Sequence, residues 1–464
     1  MLTPILRSIL TIGLLFLTGC ATYSDRNLAA RQDLRRGDFG GAERKLNGLL
    51  GVESSRDLPR GFGSETALTL LERATVLQAM GEYRLSARDF TAAEKELEFL
   101  DIANDTVGEI GKYIFSDDST IYKTGPTEKL HLNALNMINY LALGELEGAR
   151  VEARRFQVMR KYLSDYFPDE PHGAFGSYLA GYVFEKSGEA ETALRHYDEV
   201  LSQVDAPSLE APIRRLAART SYRTPRIEAV LARGTMPASH REEAVSFEGA
   251  LATYHEGSAS HLEEGEILVI VKTGTVPVKQ AARIPIGAAL GLASNYVSGD
   301  TKLLEYGLFK VVSYPELIPH QNVFTGGTLR VGERAAPLST LTEVSQEIVS
   351  EYEKVKPKIV GAALTRMIVR AASAETARAA GNRQSSALGF LAAALVEGTL
   401  VAMDKPDTRS WTMLPARVQI ARVQVPAGVH EVRVDLRGRS FGSLSRQVEV
   451  PPGGFAVVDF TTLR

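Results

Sequence analysis

The 464-residue chain contains a single cysteine, Cys20. One thiol closes no intramolecular disulfide and builds no multi-cysteine zinc site, so the fold must rest on packing. Tryptophan is as scarce, with Trp411 alone. Charge of one sign is lacking too: 53 Lys and Arg stand against 56 Asp and Glu, a net charge of −3. A nucleic-acid partner calls for a basic face, so none is expected. Outside the N-terminal segment, no charge-free apolar run reaches the ~18–20 residues of a membrane-spanning helix. The nearest, residues 387–403 (ALGFLAAALVEGTLVAM), is short, carries Glu397, and reads as a buried helix. Catalytic signatures are also missing. His131, His172, His196, His240, His255, His261, His320 and His430 show no metal-ligand spacing. His255 and His261 lie near Glu256, Glu263 and Glu264, a weak cluster that reads as solvated. His430-Glu431 lies in a strand pattern, not on a zincin helix. There is no Gly-x-Ser-x-Gly elbow and no phosphate-binding loop. Asp117-Asp118 falls in a polar insert. These absences point away from an enzyme, and neither cofactor nor metal is expected, though residues distant in sequence can still converge.

What is present starts at the N-terminus. Arg7 supplies a positive charge, residues 8–17 a short apolar stretch, and Thr18-Gly19 small residues before Cys20. That is the layout of an export signal with a cleavage site. Leu17-Thr18-Gly19-Cys20 resembles the lipobox of bacterial lipoproteins. The resemblance implies a signal peptide over 1–19, cleavage before Cys20, and diacylglyceryl transfer to its thiol. Such proteins carry two or three acyl chains, and each buried methylene adds about 0.8 kcal/mol, so the anchor would be stable. Ala21, rather than Asp, follows the cysteine, a pattern that goes with the outer membrane. The expected location is the periplasmic face of the outer membrane. The plainer reading is an ordinary secretory signal or a membrane helix.

Residues 20–205 read as helices rich in Ala, Leu, Glu and Arg, with apolar residues spaced three or four apart. A turn recurs between helix pairs: Gly37-Asp38-Phe39, Gly81-Glu82-Tyr83, Gly144-Glu145-Leu146 and Gly188-Glu189-Ala190. Glycine there can take the left-handed conformation that closes a helix. The pattern resembles the tetratricopeptide repeat, most clearly in the last copy, with Gly181, Gly188, Ala193 and Tyr197. Such repeats stack into a solenoid whose first helices line a groove. The resemblance implies a periplasmic protein or peptide held in that groove. Asn133, Asn136 and Asn139 fall on one such helix with Tyr140. Asn133, Asn136 and Tyr140 are candidate partner-binding residues, because asparagine is a poor helix former and needs another reason to be there. Exposure to solvent, or bonding to the insert 101–127, would account for them as well.

Residues 206–262 read as a helical linker broken by prolines. The interval 263–410 reads as a mixed α/β domain and 411–464 as its β-rich companion. Residues 266–272 (EILVIVK) form a buried strand that can pair with 276–284, and 308–314 and 328–331 are further strands. Residues 285–297 (PIGAALGLASNYV) read as a buried connection or a contacting loop. Helices are expected over 341–354, 358–379 and 385–403, the first two parted by Pro357 and the last two forming a long helical hairpin. The alternating stretches 418–425 and 430–436 predict a hairpin about Pro426-Ala427-Gly428, and 447–450 with 455–460 a second pair about Pro451-Pro452-Gly453-Gly454. The fold class is therefore α+β and multidomain: a tetratricopeptide-like α-solenoid, a mixed domain with a helical hairpin, and a C-terminal antiparallel sandwich-like unit.

In order and in the segments DTRSWTMLPARVQIARVQVPAG (407–428) and EILVIVKTGTVPVKQ (266–280), the chain resembles a family of bacterial tetratricopeptide-containing lipoproteins with no assigned biochemical role. That family supplies a location and no catalytic residue. Trp411 and Arg409 join the candidate partner-binding residues; Asp407 can pair with Arg409, and Arg409 or Arg422 can stack on the indole. The alternative is that Trp411 seals helices onto sheet. The expected function is non-catalytic binding or scaffolding in envelope assembly or peptidoglycan-related processes. An envelope hydrolase with its site in 263–464, or a part of an export assembly, is the alternative.

Overall fold

The computed structural model describes residues 22–99, 122–168, 172–233, 264–298, 301, 311–381 and 406–464. Cys20 and its leader, Asp117-Asp118, His255, His261 and the 387–403 stretch lie outside the described residues. The described chain is α+β, with stacked helix pairs followed by a mixed region and C-terminal sheets.

The pairs are α1 (Tyr23–Arg36) with α2 (Phe39–Leu50), α3 (Thr66–Ala79) with α4 (Tyr83–Glu96), α5 (Pro126–Ala142) with α6 (Leu146–Tyr166), and α7 (Ala174–Lys186) with α8 (Ala190–Leu201). Each turns at its predicted glycine. Gly37, Gly81, Gly144 and Gly188 have φ of 79°, 83°, 72° and 81°, where a Cβ would be strained. Thr22 and Asp25 form a reciprocal capping box that starts α1. Gly181 on α7 lies against the Tyr197 ring of α8, so the pair closes only because no side chain intervenes. Two short helices, α9 (Glu210–Ala217) and α10 (Pro225–Arg233), end the stack.

A short parallel pair, β1 (Glu98–Phe99) with β2 (Lys123–Thr124), lies between the second and third helix pairs in the chain, and two four-stranded sheets follow the helices. The first has the order β12–β3–β9–β8, from β12 (Phe455–Thr462), β3 (Glu264–Thr275), β9 (Pro415–Pro426) and β8 (Ser339–Thr342). The second has the order β11–β10–β6–β7, from β11 (Gly442–Val450), β10 (Gly428–Gly438), β6 (Phe324–Val331) and β7 (Arg334–Pro337). Ile267, Val269 and Val271 of β3 meet Leu329, Val432 and Val434 in the core between the sheets. Leu268 and Ile270 point the other way, into the helices. Burial on both faces is why β3 reads as a continuous apolar run.

Three strand pairings differ from expectation. β4 (Val278–Pro285) pairs with β5 (Val311–Ile318), because both edges of β3 are already taken, by β9 antiparallel and β12 parallel. β9 and β10 form no hairpin: the chain leaves one sheet at Pro426 and enters the other at Gly428, whose φ is 134°. β11 and β12 likewise lie in different sheets. Alternation marks a half-buried strand without saying which sheet it joins. Helix α12 (Val344–Gly381) also departs from expectation, since it runs through Pro357. Proline removes one N–H bond, but Tyr352, Val355, Ile359 and Val360 on both sides pack into one core with Val312 and Ala289, which holds the axis together. The 285–297 stretch forms helix α11 (Ile286–Ala293), buried at Ala289 and Ala293 and exposed at Leu292.

Candidate functional site

The face on which a partner groove was expected is covered by the chain itself. α3 and α5 pack on β12, and α7 on β8. The strands turn a charged row toward the helices: Glu266 and Lys272 of β3 and Asp459 of β12, all buried, and Arg422 of β9, whose side chain is 4% exposed. Arg422 binds Glu185 at the end of α7 and reaches Glu266 at 2.8 Å. Its guanidinium lies 4.9 Å from the Tyr182 ring centroid, not over the tryptophan. Lys186 completes the cluster at 3.1 Å from Glu266. Burial would raise the Glu185 pKa, but Arg422 and Lys186 outweigh it and hold the group down at about 2. Lys272 pairs with Asp459 at 3.0 Å and donates to Gln78 of α3. Burial lowers the Lys272 pKa and raises that of Asp459.

Residues 407–414 thread the seam without regular structure as far as Trp411, then turn at Thr412-Met413, and are held through their backbone. The Trp411 N–H donates to Glu128 Oε1 at 2.9 Å. The N–H groups of Thr412 and Met413 donate to the two oxygens of Glu72, at 2.7 and 2.8 Å. Asn27 of α1 donates to Thr412 Oγ1 at 3.1 Å. Trp411 is 0% exposed; its indole N–H donates to Thr75 Oγ1 at 3.1 Å and its ring meets Phe90 edge-on at 5.7 Å. Arg409 is 1% exposed and pairs with Asp407 at 2.6 Å, as its spacing predicts. It lies 5.9 Å from the Tyr122 ring centroid, again away from the indole. Three helix pairs thus grip one stretch of their own chain.

The asparagines face inward. Asn133 donates to Glu94 of α4 at 3.1 Å and to Glu152 of α6 at 2.9 Å. Asn139 accepts from Gln78 at 2.7 Å and donates to Ser86 Oγ at 2.9 Å and to Asn136 Oδ1 at 3.1 Å. Asn133 and Asn136 are fully buried; Asn133 bonds to neighbouring helices, and Asn136 accepts from Asn139 on its own helix. A polar chain runs from Ser86 through Asn139, Gln78 and Lys272 to Asp459, tying α4, α5 and α3 to β3 and β12. Tyr140 is half-buried, with its ring on Gly148. Sequence reading missed Glu72, Glu128, Gln78 and Lys272. The signal was there: each of Glu72 and Lys272 is a charge inside an apolar run (TLLERATVL, ILVIVKTG).

An open cavity of about 310 Å³ remains where α5, α6 and α7 meet β8 and the start of α12. Its walls include Leu130, Leu163, Phe167, Val204 and Leu341, with Glu343 just before α12 and Glu347 and Glu351 on its first two turns. Glu347 accepts from Gly173 N at 3.3 Å and bonds His131 Nε2 at 2.8 Å behind the wall. Glu343 pairs with Arg417, and Glu351 accepts from Thr127 N at 2.9 Å. Burial raises the Glu351 pKa, against those hydrogen bonds. Among the described residues, no group of three or more His, Cys, Asp or Glu is placed to hold a metal ion, and no helix is long and apolar enough to cross a membrane.

Comparison with family models, with curated proteins and with solved structures finds no match for the chain.

Proposed function

We propose that the chain is a lipid-anchored envelope protein that works by binding, held through Cys20 at the periplasmic face of the outer membrane. The observation that carries the binding half of this reading is where the buried charge goes. Arg422, Glu185, Glu266, Lys272, Asp459, Arg73 and Asp89 spend their charges on one another across element boundaries. That work consolidates helices and sheets into one preformed body, and the 310 Å³ cavity is the opening it leaves. Because the first helices are occupied by the chain's own 407–414 segment, a partner would dock on the outer helices, on the second sheet or at the cavity. The envelope half rests on the lipobox-like Leu17-Thr18-Gly19-Cys20 and on the resemblance to bacterial lipoproteins.

A second reading, an envelope hydrolase, draws on the His131–Glu347 pair beside Glu351, a carboxyl whose pKa burial raises. Carboxyls whose environments set them apart are how acid and base roles are divided.

The test compares wild-type and Cys20→Ser chains in fractionated, cross-linked cells. The wild type is expected to sediment with membranes, carry acyl label and cross-link to a fixed set of envelope proteins; the variant to lose label, processing and that set. A Cys20→Ser chain processed normally contradicts the anchor. A wild type without reproducible cross-links contradicts the scaffold.

A further inference from the structure

One corner of the molecule gathers cations without their counter-charges. α1 ends at Arg35-Arg36-Gly37, and the Arg35 guanidinium donates to the His320 ring at 3.0 Å. Gln321, the next residue, accepts from Arg439 in the loop after β10. The Arg439 N–H donates to the Val323 carbonyl at 2.9 Å, and the Val323 N–H to the Arg464 carbonyl at 3.3 Å. The Arg464 guanidinium comes back to Gly37, 3.1 Å from where a Cβ would stand. Arg437 donates to Thr328 Oγ1 at 2.8 Å. Arg35, Arg437, Arg439 and Arg464 are all exposed. Among the described residues none of the four makes an ion pair; the side-chain partners of the first three are an imidazole, a hydroxyl and an amide. Neighbouring acids are already engaged, Asp33 with Arg36 and Lys45, and Asp435 with Arg330 and Arg433. Burial and the charges of Arg35 and Arg31 lower the His320 pKa to about 4, so the ring adds no charge at neutral pH but registers the positive field.

The loop between β10 and β11 adds an apolar tip. Phe441 is 82% exposed, the most of any large apolar side chain among the described residues. A lone exposed apolar residue is ordinary, but this one stands two residues from Arg439 and four from Arg437, at the end of a hairpin. Arginines around a projecting ring are the composition of a membrane-interface contact: the guanidinium groups meet phosphates and the ring enters the acyl boundary. A bilayer deforms round such a tip, whereas a peptide seeks a groove. Position in the fold points the same way. Thr22, the cap of α1, follows Cys20 by two residues, and the 14 residues of α1 span about 20 Å. Leu28, Gln32 and Arg35, exposed at i, i+4 and i+7, mark one outward stripe along it, from the end near Cys20 to the basic corner.

We propose that the basic corner formed by the end of α1, the β10–β11 tip and Arg464 docks on an anionic phospholipid surface, with phosphates on the arginines and Phe441 among the acyl chains. Such docking deepens the envelope reading and rests on it for the membrane. It gives the body a fixed face toward the lipid in place of a free tether.

The experiment mixes full-length protein carrying Phe441→Trp with vesicles of phosphatidylcholine alone, or of phosphatidylcholine with phosphatidylglycerol, both with brominated acyl chains. Trp411 is 0% exposed, and the unsubstituted protein supplies its background. The expected result is quenching of the introduced indole in the phosphatidylglycerol vesicles, little in phosphatidylcholine, and reversal by high salt. Adding Arg437→Ser with Arg439→Ser should lower the docked-to-free ratio at least about tenfold while keeping the melting temperature, since each arginine near an anionic surface contributes severalfold. If that variant does not fold, Arg35→Ser should move the ratio in the same direction. No quenching, equal quenching in both vesicles, or a ratio unmoved in the folded variant overturns the proposal, as does shielding of residue 441 by an envelope protein in place of lipid. Charge-dependent quenching in a chain without acyl label would leave the docking standing and remove the anchor; acyl label without quenching would do the reverse.

Discussion

Glu72 sits inside a helix, out of water, and accepts from two successive backbone N–H groups of a segment 340 residues further on. Its burial raises its pKa to about 7, more than the hydrogen bonds from Thr412 and Met413 and the charge of Arg31 lower it. The folded chain therefore binds this proton more tightly than the unfolded chain. Its stabilising contribution is complete below the ordinary carboxylate pKa of about 4.3 and is lost as pH rises through about 7. Glu72→Gln keeps one acceptor and does not titrate. Its destabilisation relative to wild type, read from urea midpoints, should be larger at pH 5 than at pH 8, by at most on the order of 3 kcal/mol. A penalty equal at both values would show that Glu72 is ionised throughout. Asn133 and Asn136 make the same point without charge. Their helix-disfavouring composition signalled a bonding role, and the partners turned out to be Glu94, Glu152 and Asn139 on the chain itself. One sequence cannot say whether such a donor meets a neighbour helix or a foreign peptide, because both offer the same acceptors.

At the scale of elements, the helix pairs depend on small residues at fixed points. Gly181 has the Tyr197 ring where a side chain would go, whereas Gly48 of α2 has nothing within 4 Å. Gly181→Leu should force α7 from α8 and destabilise by about 1–3 kcal/mol. Gly48→Ala should be neutral or stabilise by roughly 0.5–1 kcal/mol, since it only removes backbone freedom. Thermal unfolding of the two variants checks this, and equal shifts would refute the close contact. The turns and that contact were legible in the sequence, because a left-handed turn and a crowded crossing each demand one residue type. The continuous apolar run of β3 was legible for a similar reason. The partners of the strands were not. The stretches 418–425 and 430–436 alternate as hairpin arms would, yet they belong to different sheets. Register and sheet membership are fixed by which edge is free, and that is a property of the assembled chain. Pro357 misled in the opposite way: a local breaker was overruled by the apolar packing of α12 on either side of it. The cavity left no local sign at all, since its lining residues come from five separate segments.

For the whole molecule, the central claim is that the helix stack and the C-terminal sheets are one folding unit, closed on residues 407–414. The apolar cluster that begins at Tyr23 continues through Leu132 and Tyr182 into Leu268, Trp411 and Ile420 without a break. Charged cross-links at Arg422–Glu185 and Lys272–Gln78 bridge the same boundary. Breaking either side alone would strand buried charge, so the parts should unfold together. The only tryptophan in the chain lies in the middle of that boundary. Its fluorescence and quenching by acrylamide, followed through urea unfolding beside far-ultraviolet circular dichroism, therefore report the claim directly. A native Trp411 that emits in the blue, resists acrylamide and becomes quenchable in the same transition that melts the helices is the predicted result. A Trp411 already quenchable in the native protein, or one released while the helices persist, would contradict it.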